Sequence, residues 1–202
     1  MVVGASVTTE QDADVELMLA VQRGDRAAFR ALFEKHLAAV VGFATHFVGS
    51  RARAEELAQD AFLQVYRTRE RYVPRARFKT WLYRIVANSC LSELRRPDTR
   101  ARVDPFARPD RDGPGRREPT RSEPTAHSAE EDYLDREALA RLQRVLAGLP
   151  APQRAAVLLA RAEGLSYEEV AVALGTSVGA VKSLIHRATL TLRRELGEAE
   201  TP

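Results

Sequence analysis

Apolar residues recur at steps of three and four along most of this chain, and the places where that rhythm stops divide it into helices. A first helix is expected to open at Asp12 or Asp14, run through Val15, Leu17, Met18, Leu19 and Val21, and end at Gly24, with residues 1–11 frayed ahead of it. Asp25 caps a longer helix with an apolar stripe of Phe29, Leu32, Phe33, Leu37, Val40, Val41, Ala44 and Phe47, the signature of one buried face. Gly49-Ser50 breaks it. A third helix carries Ala54, Leu57, Ala58, Ala61, Phe62, Val65 and Tyr66, and Pro74 closes it. A fourth runs from about Phe78 through Trp81, Leu82, Ile85, Val86 and Leu91 to Leu94, before Pro97. Residues 12–96 therefore read as one helical domain of ordinary size.

The rhythm then disappears. Residues 97–128 hold six of the ten prolines, two glycines, seven arginines and six acids, with Phe106 as the lone aromatic. Such composition cannot bury enough apolar surface to order itself, so 97–129 is expected to be a flexible linker. A coil of that length has ends about 30 Å apart on average, which leaves the flanking domains unfixed relative to one another.

Periodicity returns over 130–197. One helix carries Leu134, Ala138, Leu142, Val145 and Leu146 and stops at Gly148-Leu149-Pro150. Pro152 suits the first turn of the next, with Ala155, Ala156, Leu158 and Leu159 on its face. Gly164 leads into two short helices. Ser166 caps the first, and Glu169 three residues on completes a capping box. Val170, Ala171 and Leu174 are its apolar face, and Gly175 supplies the left-handed stop. Ser177 is the second N-cap. Val181, Leu184, Ile185, Ala188 and Leu192 then repeat at helical spacing, opposite Lys182, Ser183, His186 and Arg187. Two capped helices, a tight turn and a polar outer face make a helix-turn-helix, whose second helix suits a DNA major groove. An ordinary helical hairpin with a solvated basic face is the plainer alternative. The predicted fold is all-α: two small helical domains joined by a flexible linker, the C-terminal one containing the helix-turn-helix.

Charge sharpens this picture through its placement. The net charge of the 202 residues is only +3. From Arg67 to Arg96, however, nine basic residues (Arg67, Arg69, Arg71, Arg75, Arg77, Lys79, Arg84, Arg95 and Arg96) face only Glu70 and Glu93. Tyr72, Phe78, Trp81 and Tyr83 lie among them. Cations that follow phosphates, interleaved with rings that stack on unpaired bases, suit single-stranded nucleic acid. Phe78 is expected in the core, while Trp81 and Tyr83 are placed either there or against a base.

Several kinds of chemistry are missing. His36, His46, His127 and His186 are scattered and there is no CxxC, so no metal site is expected. Gly113-Pro-Gly115 is a linker turn, not a phosphate cradle, and no Walker motif exists. Glu55, Glu56 and Asp60 share a helix face but lack the partner that acid–base work needs. Cys90, the only cysteine, reads as a small buried residue, and a single thiol suits a reducing compartment. No apolar run approaches a membrane span, and the first residues do not form a signal peptide. The expectation is a cytoplasmic protein that is not an enzyme and needs no cofactor.

Leu57-Ala-Gln-Asp-Ala-Phe62, preceded by Glu55-Glu56, resembles the polymerase-binding helix of bacterial sigma factors. Phe78-Lys-Thr-Trp-Leu-Tyr-Arg-Ile-Val-Ala-Asn88, ending in Leu94-Arg-Arg96, resembles their promoter-melting and minus-ten-reading helix. Leu149 to Val157, Gly164 to Ala171 and Val178 to Ser183 resemble their minus-thirty-five reader. Two helical domains with only a linker between them resemble the extracytoplasmic-function (ECF) group of the sigma-70 family. The resemblance implies an initiation subunit that directs core RNA polymerase to promoters and starts DNA melting. It implies that Glu55, Glu56, Leu57, Gln59, Asp60 and Phe62 dock on a basic coiled coil of the largest polymerase subunit, with Leu57 or Phe62 as anchor. Arg77, Lys79, Trp81, Tyr83, Arg84, Asn88, Arg95 and Arg96 would take the melted non-template strand. Ser177, Gly179, Lys182, Ser183, His186 and Arg187 would read the upstream duplex. An anti-sigma factor is a further implied partner. Leu184 and Thr189 stand where many relatives are basic. Two rivals remain: a stand-alone helix-turn-helix regulator, which predicts dimers on palindromic sites, and an RNA-binding adaptor.

Overall fold

A computed structural model describes the backbone of residues 5–95 and 129–197, and the side chains of 13–95 and 137–197. The expected linker, except for Ala129, therefore lies outside the described residues, as does Arg96. Eight α-helices follow in order among the described residues: α1 (Ala5–Gln22), α2 (Arg26–Val48), α3 (Arg51–Arg67), α4 (Phe78–Glu93), α5 (Ala129–Gly148), α6 (Ala151–Arg161), α7 (Tyr167–Leu174) and α8 (Val178–Gly197). A single 3-10 turn, Arg69–Arg71, stands between α3 and α4.

The helix boundaries follow from local chemistry. Asp25 Oδ1 accepts the amides of Ala27 and Ala28 at 2.8 and 3.1 Å and starts α2. Gly49 ends it in the left-handed conformation (φ 69°), and Ser50 immediately caps α3. Helix α1 departs from the sequence reading. It begins at Ala5, so Asp14 lies inside it rather than at its cap. A tertiary contact overrides the capping preference. The Asp14 carboxylate points inward, accepts from Lys35 Nζ at 2.9 Å and stands 2.9 Å from His36 Nε2. Burial alone would raise this carboxyl, but the bonds from His36 and Lys35 outweigh it and hold it below its ordinary value.

Helices α1 to α4 enclose one core. Leu32, Val40, Phe47, Phe62, Val65, Phe78, Leu82 and Val86 are essentially sealed from solvent. Each large side chain buried there stabilises by about 1.5–3 kcal/mol. Phe62 meets Phe33 edge to face at 4.9 Å, and Phe43 meets Tyr83 at 5.3 Å. Helices α5 to α8 build a smaller core from Leu146, Leu149, Leu158, Leu159, Val170, Val181 and Ile185.

The two cores join. Helix α7 packs on α4, with further contacts of α6 on α4 and α5 on α2. The buried Arg154 of α6 fastens this junction. Its Nη1 donates to the His46 carbonyl of α2 at 3.1 Å, and its Nη2 donates to the Leu149 carbonyl at 3.2 Å and to the Ala147 carbonyl. The guanidinium lies 5.6 Å from the centre of the Phe47 ring. Carbonyls at helix C-termini carry partial negative charge. One buried cation thus satisfies the ends of α2 and α5 together.

Candidate nucleic-acid interface

The helix-turn-helix is α7, a three-residue turn and α8. Ser166 Oγ accepts the Glu169 amide at 3.2 Å, and Glu169 Oε2 accepts the Ser166 amide at 2.8 Å, completing the capping box. Gly175 takes φ 63° and lets the chain reverse. Ser177 Oγ then accepts the Ala180 amide at 3.2 Å and starts α8. Val181, Ile185 and Ala188 turn inward and are buried. That rotation leaves Ser177, Gly179, Lys182, Ser183, His186 and Arg187 exposed. A Cβ added at Gly179 would meet only Ser177 Oγ, at 3.9 Å. Internal packing therefore does not require glycine there. Leu184 is partly buried against the core, which accounts for an apolar residue at that position.

The basic segment preceding and forming α4 is arranged differently. Tyr83 is fully buried against Phe43, so it belongs to the core and cannot stack on a base. Burial, with the neighbouring Glu163 carboxylate, pushes its phenol far above the ordinary tyrosine value. Trp81 is half-buried, edge-on to Tyr72 at 5.0 Å. Arg84, Asn88 and Arg95 are exposed. Arg77 and Lys79 are engaged by the second unit. Arg77 Nε pairs with Glu169 Oε1 at 3.2 Å. Lys79 Nζ pairs with Glu163 Oε2 at 3.3 Å and donates to the Glu163 carbonyl at 2.7 Å. Between them, Thr80 Oγ1 donates to Glu169 Oε1 at 3.1 Å.

The α3 face presents Glu55, Glu56, Gln59 and Asp60 to solvent. Glu55 is paired with Arg51 at 2.9 Å, and Glu56 with Arg53. Leu57 is 6% and Phe62 2% exposed. Both contribute to the stripe that seals α3 onto α2 and α4; Phe62 packs on Phe33, while the edge of Leu57 also lines the groove between α3 and α4. Leu63, 49% exposed, is the apolar residue that this face offers. Its position three residues after Asp60 and four after Gln59 was readable as the same surface. Asp60 and Asn88 line one groove between α3 and α4, with Gln64, Arg67 and Ser92. Glu93 instead turns inward and is held by Arg53 Nε and Nη2 at 3.0 and 2.8 Å.

Cys90 is buried, and burial together with Glu93 pushes its thiol up to about 12. No metal-binding cluster and no membrane-length apolar helix occurs among the described residues.

Comparison with known proteins accounts for both halves. The family described as Sigma-70 region 2 matches residues 32–100, and Sigma-70, region 4 matches residues 139–192. The RNA polymerase sigma factor CarQ of Myxococcus xanthus is 38% identical over 178 residues, covering 88% of this chain and 94% of that protein. The ECF RNA polymerase sigma factor SigE of Mycolicibacterium smegmatis is 37% identical, covering 87% of this chain and 65% of its own length. Among solved structures, CnrH in complex with the cytosolic domain of CnrY aligns with TM-score 0.67 at 25% identity, over 94% of this chain and 99% of that one. With both sigma regions present in order and CarQ matched over 94% of its length, the chain belongs to the ECF group of the sigma-70 family of RNA polymerase sigma factors.

Proposed function

We propose a division of this sigma factor's work among three surfaces. Ser177, Gly179, Lys182, Ser183, His186 and Arg187 read the upstream promoter duplex. The observation that carries this is their common exposure along one side of α8, opposite the buried Val181, Ile185 and Ala188. Lys182 and Arg187 suit phosphates, Ser183 and His186 suit base edges, and Gly179 leaves room for close backbone approach. Arg84, Asn88 and Arg95 take the melted non-template strand. Arg77, Lys79 and the half-buried Trp81 lie beside them, and Arg96 extends the same basic run in the sequence. Glu55, Glu56, Gln59, Asp60 and Leu63 dock on core polymerase, where carboxylates meet basic residues around one apolar contact.

On this reading the protein works in the cytoplasm, as a binding subunit rather than an enzyme. Solved structures similar to this chain are complexes such as the sigma factor RpoE with the anti-sigma factor NepR from Bartonella quintana. A regulating anti-sigma partner is accordingly part of the proposal.

The test is a footprint on linear duplex promoter at physiological salt, with and without core polymerase. Protection of both elements only with the polymerase present is expected. Strong, sequence-specific protection of both by the isolated protein would overturn the reading in favour of a stand-alone regulator.

A further inference from the structure

Arg23 and Arg26 flank the turn between α1 and α2, which Gly24 closes at φ 94°. Both are exposed, and among the described residues neither pairs with a carboxylate. Arg30 and Arg51, by contrast, are each paired with a glutamate four residues on. Two contacts bring this turn against the segment ahead of α4. Gln22 Nε2 donates to the Tyr72 carbonyl at 2.7 Å and to the Glu70 carbonyl at 3.4 Å. Phe29, one turn into α2, meets Tyr66 near the end of α3 at 5.1 Å. Arg69 braces the same corner: its guanidinium lies 4.4 Å from the centre of the Tyr66 ring, and Nη1 donates to the Tyr66 carbonyl at 2.8 Å. Arg71 lies between the two carbonyls that Gln22 holds. It is exposed, as is Arg75, and neither has a carboxylate partner among the described residues. The acids of the corner are engaged elsewhere. Asp25 Oδ1 accepts two α2 amides, and Glu70 stands 3.7 Å from Arg69.

We propose that Arg23 and Arg26 bind phosphates of the melted non-template strand, carrying the surface of the 67–96 segment across onto the turn between α1 and α2. Cations crowded together repel one another over the roughly 8 Å screening length of physiological salt. A chain of regularly spaced phosphates relieves that repulsion and releases its own counterions. The rings at this corner are used in packing: Tyr72 is buried, and Phe29 and Tyr66 face each other. No ring is therefore offered to a base here, and the contacts are to backbone, which adds affinity without base preference. Arg23 and Arg26 lie far from the 67–96 segment in sequence, and the Gln22 and Phe29 contacts are what place them beside it. The inference rests on the reading of that segment as strand-taking.

The experiment uses the full chain assembled with core polymerase, on a promoter fragment that the parent holoenzyme selects and whose minus-ten segment is held open by mismatches. Four proteins are compared: the parent, Arg23→Gln with Arg26→Gln, Arg71→Gln with Arg75→Gln, and the charge-matched control Arg144→Gln with Arg193→Gln, both exposed positions on the second unit. Thermal melts verify that each variant is folded, and competition for core polymerase is measured separately. The readouts are the affinity for the open fragment across a salt series and the base preference at each open position.

At physiological salt the 23/26 variant is expected to bind the open fragment about tenfold more weakly than the control, with a salt slope lower by about 1.4, the single-strand value for two phosphates. Its base preference and its affinity for polymerase are expected to match the control's. Control-like binding by the 23/26 variant, beside weakened binding by the 71/75 variant, would overturn the inference and leave the strand-taking reading intact. Control-like binding by both variants would overturn that reading as well. Loss of polymerase affinity in the 23/26 variant, with an unchanged salt slope, would make the corner a protein contact and overturn its assignment to the strand.

Discussion

The two surfaces proposed to meet DNA are built from similar residues but presented in different ways. On α8 the buried and exposed sides separate cleanly, and Lys182 and Arg187 stand free of the other unit. At the start of α4 the cations Arg77 and Lys79 are paired across the junction with Glu169 and Glu163. A helix that reads duplex needs only its own periodicity to present a face. The difference shows that basic residues in a sequence mark a capacity for phosphate, while the fold decides which of them already have anionic partners.

The strongest way to break this comparison is to exchange covered and open residues on α3. Leu57→Ala, in the core, is expected to cost about 3 kcal/mol of stability in chemical denaturation. Leu63→Ala should leave stability within about 0.5 kcal/mol and still weaken competition for core polymerase about tenfold. Equal polymerase affinity in the parent and Leu63→Ala would remove Leu63 from the docking face.

Arg154 tests the junction itself. Arg154→Ala leaves the His46, Ala147 and Leu149 carbonyls without their shared donor, at an expected cost of about 2 kcal/mol. A denaturation midpoint matching the parent's would show that the junction does not depend on it.

On the open side, promoter selection should separate the reading residues by chemistry. His186→Ala is expected to cost about 1–3 kcal/mol at one base position and relax preference there. Lys182→Ala should weaken binding to all sequences and reduce the salt slope by about one. A His186→Ala protein with unchanged preference at every upstream position would exclude that side chain from base reading.

The smallest expected effect is a pH dependence at the junction. Burial first, then the nearby Arg154 charge, lowers the His46 pKa, with Glu163 opposing in part. The unfolded imidazole takes up its proton near 6.5, before the folded one does. Stability from this group is therefore complete above about pH 6.5 and is lost as pH falls from there through the lower folded value. His46→Gln should flatten that part of the stability profile, as followed by denaturation at stepped pH. A profile unchanged by the substitution would show that His46 does not contribute to it.

Much of this protein was determined locally. The caps at Asp25, Ser50, Ser166 and Ser177, the glycine stops at 49 and 175, and the stripes of α2, α3 and α8 depend on neighbours within a few residues, so they are legible in order along the chain. The helix-turn-helix and its exposed face follow from those same short-range rules. What depended on packing between distant segments was hidden. Asp14 resembles a cap until His36 and Lys35 draw it into α1. Phe62 resembles an exposed apolar residue until α3 is rotated onto α2 and Phe33 covers it. Tyr83 resembles a stacking ring until Phe43 encloses it. The contacts of Arg77, Lys79 and Arg154 with Glu169, Glu163 and the end of α2 join residues separated by most of a domain and a linker. Local sequence carries no signal for such pairs, because their energy arises only when two separately folded surfaces exclude water from between them.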